Sequence, residues 1–152
     1  MRVHEAMKTD VHVASPNAPI QAVAEAMAKI DAGVLPVRDG DRLVGMITDR
    51  DIAIRAVAEG LGPETPVAEV MSQEVCYCYD DQDLGEVAAN MADIKVRRLP
   101  VVNRDKRLVG ILSLGDIALA DGHDEATATA LTGISEPGGE HSQSLRLMPT
   151  TR

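Results

Sequence analysis

Two four-residue stretches, Thr48-Asp49-Arg50-Asp51 and Ser113-Leu114-Gly115-Asp116, each place a hydroxyl three residues ahead of a carboxylate. Each sits where an apolar run with strand character gives way to apolar residues at helical spacing. Two kinds of chemistry fit that spacing. A hydroxyl at a helix N-cap and an acid three residues on satisfy free amides and suit the helix dipole, for about 1 kcal/mol and with no ligand. The same amides and hydroxyl suit a phosphate, and a carboxylate one turn along can accept two hydrogen bonds from a ribose diol.

Other residues offer less. Cys76 and Cys78 alternate so as to share one face of a strand, but a Cys-x-Cys without a second pair is a weak metal signal, and buried free thiols are the simpler reading. His4, His12, His123 and His141 match no ligand spacing. The chain has no Gly-rich phosphate loop, nucleophile elbow or metal-hydrolase motif, so catalysis is not expected and no metal is assigned.

The elements that would position the two motifs are themselves repeated. Shifted by 64 positions, Val3 falls on Val67, Met7 on Met71, Val11 on Val75, Met27 on Met91 and Leu35-Pro36-Val37 on Leu99-Pro100-Val101. One inserted residue in the following turn changes the shift to 65, and Arg42-Leu43-Val44-Gly45 then falls on Arg107-Leu108-Val109-Gly110. Each unit reads as strand, helix, strand, strand, helix. Val11-His12-Val13 and Val75-Cys76-Tyr77 alternate as short strands do. Ile20, Val23, Ala24, Met27 and Ile30 recur at helical spacing, as do Leu84, Val87, Ala88, Met91 and Ile94, and the matched methionines belong in the core. An Asp-Gly turn between two apolar runs predicts a hairpin, repeated with a longer turn in the second unit. Helices then begin near Asp49 and Leu114. Gly45 and Gly110 relieve crowding at the strand or mark a bulge. The units are placed at 1–62 and 66–122, with a C-terminal helix and flexible tail over 123–152. The tail has turn formers and little periodicity, although residues 124–131 could form one short helix.

Composition bounds the rest. The 152 residues suffice for one compact domain with an aliphatic core, since Phe and Trp are absent. A net charge of -9 opposes non-specific nucleic-acid binding, and the scarcity of aromatics removes stacking platforms, so nucleic acid is not an expected partner. No apolar run approaches the roughly 20 residues of a membrane span, and the N-terminal residues lack an apolar signal segment, so a cytoplasmic protein is expected. Faces near Ile52 to Val57 and Ile117 to Ala120 are rich in apolar residues that a homodimer would cover.

The doubled pattern of Leu-Pro-Val, turn, Leu-Val-Gly, two apolar residues, Thr or Ser, two residues and Asp-Ile resembles the tandem CBS-domain pair, or Bateman module. The resemblance covers residues 3–121. It implies an α/β (α+β) fold of two β-α-β-β-α repeats around a pseudo-twofold axis, forming a flat homodimer. It also implies clefts for AMP, ATP or another adenosine compound such as S-adenosylmethionine, with no catalytic cofactor and regulation of a separate protein chain. Carried over, Thr48 and Asp51 would face Ser72, Val75, Tyr77, Val96, Arg97 and Arg98. Ser113 and Asp116 would face Thr9, Val11, Val13, Ala32, Gly33 and Val34. Arg97 and Arg98 stand where such proteins place a phosphate-binding basic residue, with a solvated face or ion pairs as the alternative. Their counterparts Gly33 and Val34 carry no charge, so the two clefts should differ. Two other readings are an interaction module with empty clefts and a redox or metal sensor through Cys76 and Cys78.

Overall fold

The computed structural model describes residues 1–120, 128 and 131–134. Short helix α1 (Val3–Ala6) is followed by α2 (Ile20–Ile30), β1 (Val34–Asp39), β2 (Arg42–Thr48) and α3 (Asp49–Asp51), which runs on into a π-helical segment, Ile52–Val57. After a 3-10 turn at Val67–Glu69 come β3 (Cys78–Tyr79), α4 (Leu84–Ile94), β4 (Arg98–Val102), β5 (Leu108–Ser113) and α5 (Leu114–Leu119). β1 and β2 form one antiparallel sheet; β3, β4 and β5 form the other, with β3 parallel to β4.

Helices α2 and α4 form for matching reasons. Ile20, Val23 and Met27 are buried on α2, as are Leu84, Val87, Ala88 and Met91 on α4, a stripe at helical spacing in each. The buried stripe of α2 is narrower than the apolar spacing suggests, because Ala24 is exposed and Ile30 only half-buried. Both helices stop at a left-handed residue, Asp31 and Lys95. The first hairpin turns at Gly40 with positive φ. The longer second turn is built on the Asn103 side chain, whose oxygen accepts from the amides of Asp105 and Arg107, both at 3.0 Å.

The expected first strands are displaced. Residues 9–13 form no ladder, and the expected strand is reduced to a single bridge from Ala14 to Val37. In the second repeat the ladder begins at Cys78, three residues beyond Val75. Both segments cross from one half of the molecule to the other. Lys8 exchanges two 2.9 Å backbone bonds with Ile111 of the second half, and Ala14 then joins the first. Ser72 bonds to Met46 of the first half at 3.0 and 2.8 Å, and Cys78 then joins the second. An alternating sequence therefore passes between the halves without strand partners.

The same crossing exchanges core residues. Val3, from the start of the chain, is buried with Leu84, Met91, Leu99, Val101, Leu112 and Ile117 of the second half. Val67 and Val70 are buried with Ile20, Val23, Leu35, Val37 and Ile47 of the first. Neither α1 nor the turn at Val67–Glu69 was legible as an element in the sequence. Where the hairpins meet, Leu108 donates to the Asp41 carbonyl at 2.9 Å and the Arg107 guanidinium lies 3.2 Å from the Asp41 carboxylate. Each half thus holds a piece of chain from the other, and the cap motifs lie beside those crossings.

Candidate ligand clefts

Thr48 and Ser113 are the N-caps of α3 and α5, and the capping arrangement is present in both copies. Thr48 Oγ1 accepts from the Asp51 amide at 2.9 Å, while Asp51 Oδ2 accepts from the Thr48 amide at 3.0 Å. The second copy repeats this at 3.1 and 2.9 Å between Ser113 and Asp116. The cap engages one oxygen of each carboxylate. The other faces a cation at loose range: Asp51 Oδ1 lies 3.8 Å from Arg55, and Asp116 Oδ1 lies 3.8 Å from Lys8. Capping and ligand binding are therefore compatible, since Oδ1 of each acid is not used by its cap.

The crossing segments fix what stands beside each cap. Ser72 pairs with Met46, two residues before Thr48, and Lys8 pairs with Ile111, two residues before Ser113. Close approach of backbone explains both glycines. A Cβ on Gly45 would stand 2.8 Å from the Ser72 carbonyl oxygen and 2.7 Å from Met71 Sδ. On Gly110 it would stand 2.8 Å from the Lys8 oxygen and 2.6 Å from Met7 Sδ. The ladder irregularities at Val37/Arg38 and Val101/Val102 lie next to the same glycines, so the bulge is also present.

Half of the expected cleft grouping is redrawn. Val34 pairs with Thr48, and the Asp49 amide donates to the Gly33 carbonyl at 2.9 Å. Arg98 pairs with Ser113, and the Leu114 amide donates to the Arg97 carbonyl at 2.9 Å. Residues 32–34 therefore flank Thr48 and Asp51, and 96–98 flank Ser113 and Asp116, each beside the cap of its own repeat. The physical reason is strand register: β1 and β4 run antiparallel to the strands that end in the caps, so their first residues meet the cap residues. Val96 packs against the second core, and Ala32 follows the C-terminal turn of α2, where its amide donates to Met27. Arg97 and Arg98 are exposed, and among the described residues neither guanidinium has an ion pair or hydrogen-bond partner. Thr9 is exposed in the first crossing segment, with Val11 and Val13 half-buried beyond it.

Val75 and Tyr77 of the second crossing line a cavity of about 230 Å³ with Leu43, Val44, Gln73, Val102 and Lys106. Thr48 and Asp51 are not among its walls. Tyr77 stands edge-on to Tyr79, with ring centroids 5.7 Å apart, and Lys106 Nζ lies 3.4 Å from the Tyr77 hydroxyl. Hydrogen bonding to Tyr79 and then to Lys106 holds that hydroxyl below the ordinary tyrosine range. The sequence reading missed Lys106, although the one-residue lengthening of its turn was a visible signal.

The two cysteines do not share an environment. Cys78 is buried in β3 and Cys76 is exposed in the crossing segment, because the strand begins only at Cys78. Burial, with the Asp80 carboxylate nearby, pushes the Cys78 thiol up to about 12. Among the described residues no group of three or more His, Cys, Asp or Glu could hold a metal ion. No helix there is long and apolar enough to cross a membrane.

A family model for the CBS domain matches residues 3–57 and again 67–122. The chain belongs to the CBS-domain family. It carries two CBS repeats, and its mixed α/β architecture is that of solved CBS pairs. It is 42% identical over 133 residues to the CBS domain-containing protein YhcV of Bacillus subtilis, covering 88% of this chain and 94% of that protein. The CBS domain protein PAE2072 of Pyrobaculum aerophilum, solved with AMP, superimposes with a TM-score of 0.70 at 29% identity, over 86% of this chain and all of that one. The CBS domain pair of protein MJ0100, solved with 5′-methylthioadenosine and S-adenosylmethionine, gives 0.67 at 29% identity, over 78% of this chain and 93% of that one.

Proposed function

We propose that this CBS pair is a regulatory module that senses adenosine compounds and passes the signal to a separate partner protein, with no catalysis of its own. One observation carries the reading. Each repeat presents a capped Thr or Ser and an Asp with a carboxylate oxygen outside the cap, beside a crossing segment from elsewhere in the chain. Similarity to CBS pairs solved with AMP and with S-adenosylmethionine supports an adenosine ligand. The ligand then bridges a cap and a crossing segment, so binding alters the angle between halves. Calorimetric titration with AMP, ATP and S-adenosylmethionine tests this. Saturable binding that Asp116→Asn or Asp51→Asn weakens about tenfold is expected. Absence of binding by all three compounds would sink the reading.

The module is further proposed to be a cytoplasmic homodimer. Ile54, Val57 and Leu119 are 51, 68 and 86% exposed on the helices that follow the caps, an apolar surface suited to a second copy. A monomer mass by light scattering at micromolar concentration would count against it.

A further inference from the structure

We propose that the two clefts divide adenosine compounds by charge. The cleft at Ser113 and Asp116 takes a phosphate-bearing compound, and the cleft at Thr48 and Asp51 takes a neutral or cationic one. The proposal rests on the reading above that the clefts hold adenosine compounds at all.

The second cleft is basic at three positions. Arg98 stands opposite Ser113 in the ladder, Arg97 receives the Leu114 amide on its carbonyl, and the Lys8 ammonium lies 3.8 Å from Asp116. Arg97 and Arg98 lack an anionic partner among the described residues, and both are exposed. Two unpaired arginines flanking the cap, with an ammonium beside its one carboxylate, leave positive charge in excess. An unpaired guanidinium suits the oxygens of a phosphate.

The first cleft has no charge at the matching positions, which are Gly33, Val34 and Ser72. It has an added acid instead, because Asp49 stands where the second cleft has Leu114. The Asp49 carboxylate lies over Gly33, with Oδ2 2.9 Å from where a Cβ there would be. The space over Gly33, at the position matching Arg97, is thus taken by a negative group. Of the cations nearby, Arg55 is directed to Asp51 at 3.8 Å and to the Met71 carbonyl at 3.3 Å, while Arg50 is exposed. A phosphate in this cleft would meet two carboxylates, and like charges brought together select against the wrong ligand.

The experiment uses ADP and 5′-methylthioadenosine as probes, titrated singly and then one into protein saturated with the other. Each is expected to bind once per chain, neither displacing the other, with ADP binding alone weakening as salt is raised. Arg97→Ala with Arg98→Ala should lower ADP affinity by about tenfold or more and leave 5′-methylthioadenosine within about twofold. Asp49→Leu, which copies the second cleft, should admit a second ADP. Competition of the two compounds for one site would overturn the proposal. Equal salt dependence of both compounds in the unaltered protein would do so without any variant. If neither compound binds, the reading of the clefts as adenosine sites has failed, a result distinct from binding without division by charge.

Discussion

The two halves share a skeleton and differ in the side chains that stand beside their caps. Both have a capping box, a glycine under a crossing backbone and a left-handed residue ending the first long helix. They part company in side chains and in one helix. Asp49 answers to Leu114, and Gly33-Val34 to Arg97-Arg98. The helix after the first cap is π-wound over Ile52–Val57, whereas α5 is an ordinary α-helix. π-Helical turns are uncommon and concentrate at functional sites. What is kept is what backbone packing demands; Asp49 with Gly33-Val34, and Leu114 with Arg97-Arg98, differ beside the two caps.

The strongest test of that common skeleton is the glycine pair. Gly45→Ala and Gly110→Ala each drive a Cβ to 2.8 Å from a carbonyl oxygen that cannot move without the crossing segment. Overpacking of this kind costs about 1–3 kcal/mol, and urea denaturation should show similar losses for both variants. A large loss at one and none at the other would mean that the crossings are not equivalent.

Exchange of core residues comes next. Val3→Ala and Val67→Ala each remove two buried methyl groups, for about 2 kcal/mol. Their local effects should be crossed. Val3→Ala should speed amide exchange in α4 and β4, and Val67→Ala in α2 and β1, because those are the cores they fill. Faster exchange on the half nearer in sequence would break the comparison.

The sequence made the hairpins, the long helices and both cap positions legible, because each rests on local chemistry. α3 and α5 start at Asp49 and Leu114 as the hydroxyl–acid spacing requires, and Met27 and Met91 are core residues. What escaped was non-local. Val11-His12-Val13 alternates like a strand, yet nothing in the alternation tells that the segment bridges two halves and that pairing begins at Ala14. The placement of Gly33 beside Asp49 and of Arg97 beside Leu114 follows from strand register, which a repeat pattern does not specify. Lys106 reaches the Tyr77 hydroxyl across 29 residues of chain.

Smaller effects are expected at the caps and at Cys78. Thr48→Ala and Ser113→Ala should each cost about 1 kcal/mol in chemical denaturation. A loss confined to one would show that only that box supports its helix. Cys78 occupies the place of Ala14, and both are buried. Its folded thiol titrates at about 12 against an ordinary value of 9.0, so the folded chain keeps a proton that the unfolded chain loses between those values. That contribution to stability is whole below pH 9 and is lost as pH rises toward 12, by about 1.4 kcal/mol per pH unit. Cys78→Ala, which writes the first half's residue into the second, should remove this slope. Urea midpoints of the two proteins measured from pH 8 to 10 would show it as a fall in the unaltered protein that the variant lacks, and parallel curves would refute the burial argument.

The smallest effect is expected where the halves differ in what covers them. Ala92 on α4 is buried, while its counterpart Ala28 on α2 is exposed. The cover is the helical turn at 131–134, whose Gly133 approaches so closely that a Cβ there would lie 2.7 Å from both the Ala92 Cβ and the Ala92 carbonyl oxygen. Part of the expected helix over 124–131 and the tail beyond 134 lie outside the described residues. Residues 135–152 have few regularly spaced apolar side chains, so deleting them should leave the thermal midpoint within about 2 °C. Gly133→Val should lift the turn from α4. Burying one alanine stabilises by under about 1 kcal/mol, so the midpoint should fall only slightly while amide exchange quickens in α4 and not in α2. A drop of many degrees for either variant would show that the C-terminal segment supports the second half as strongly as its core does.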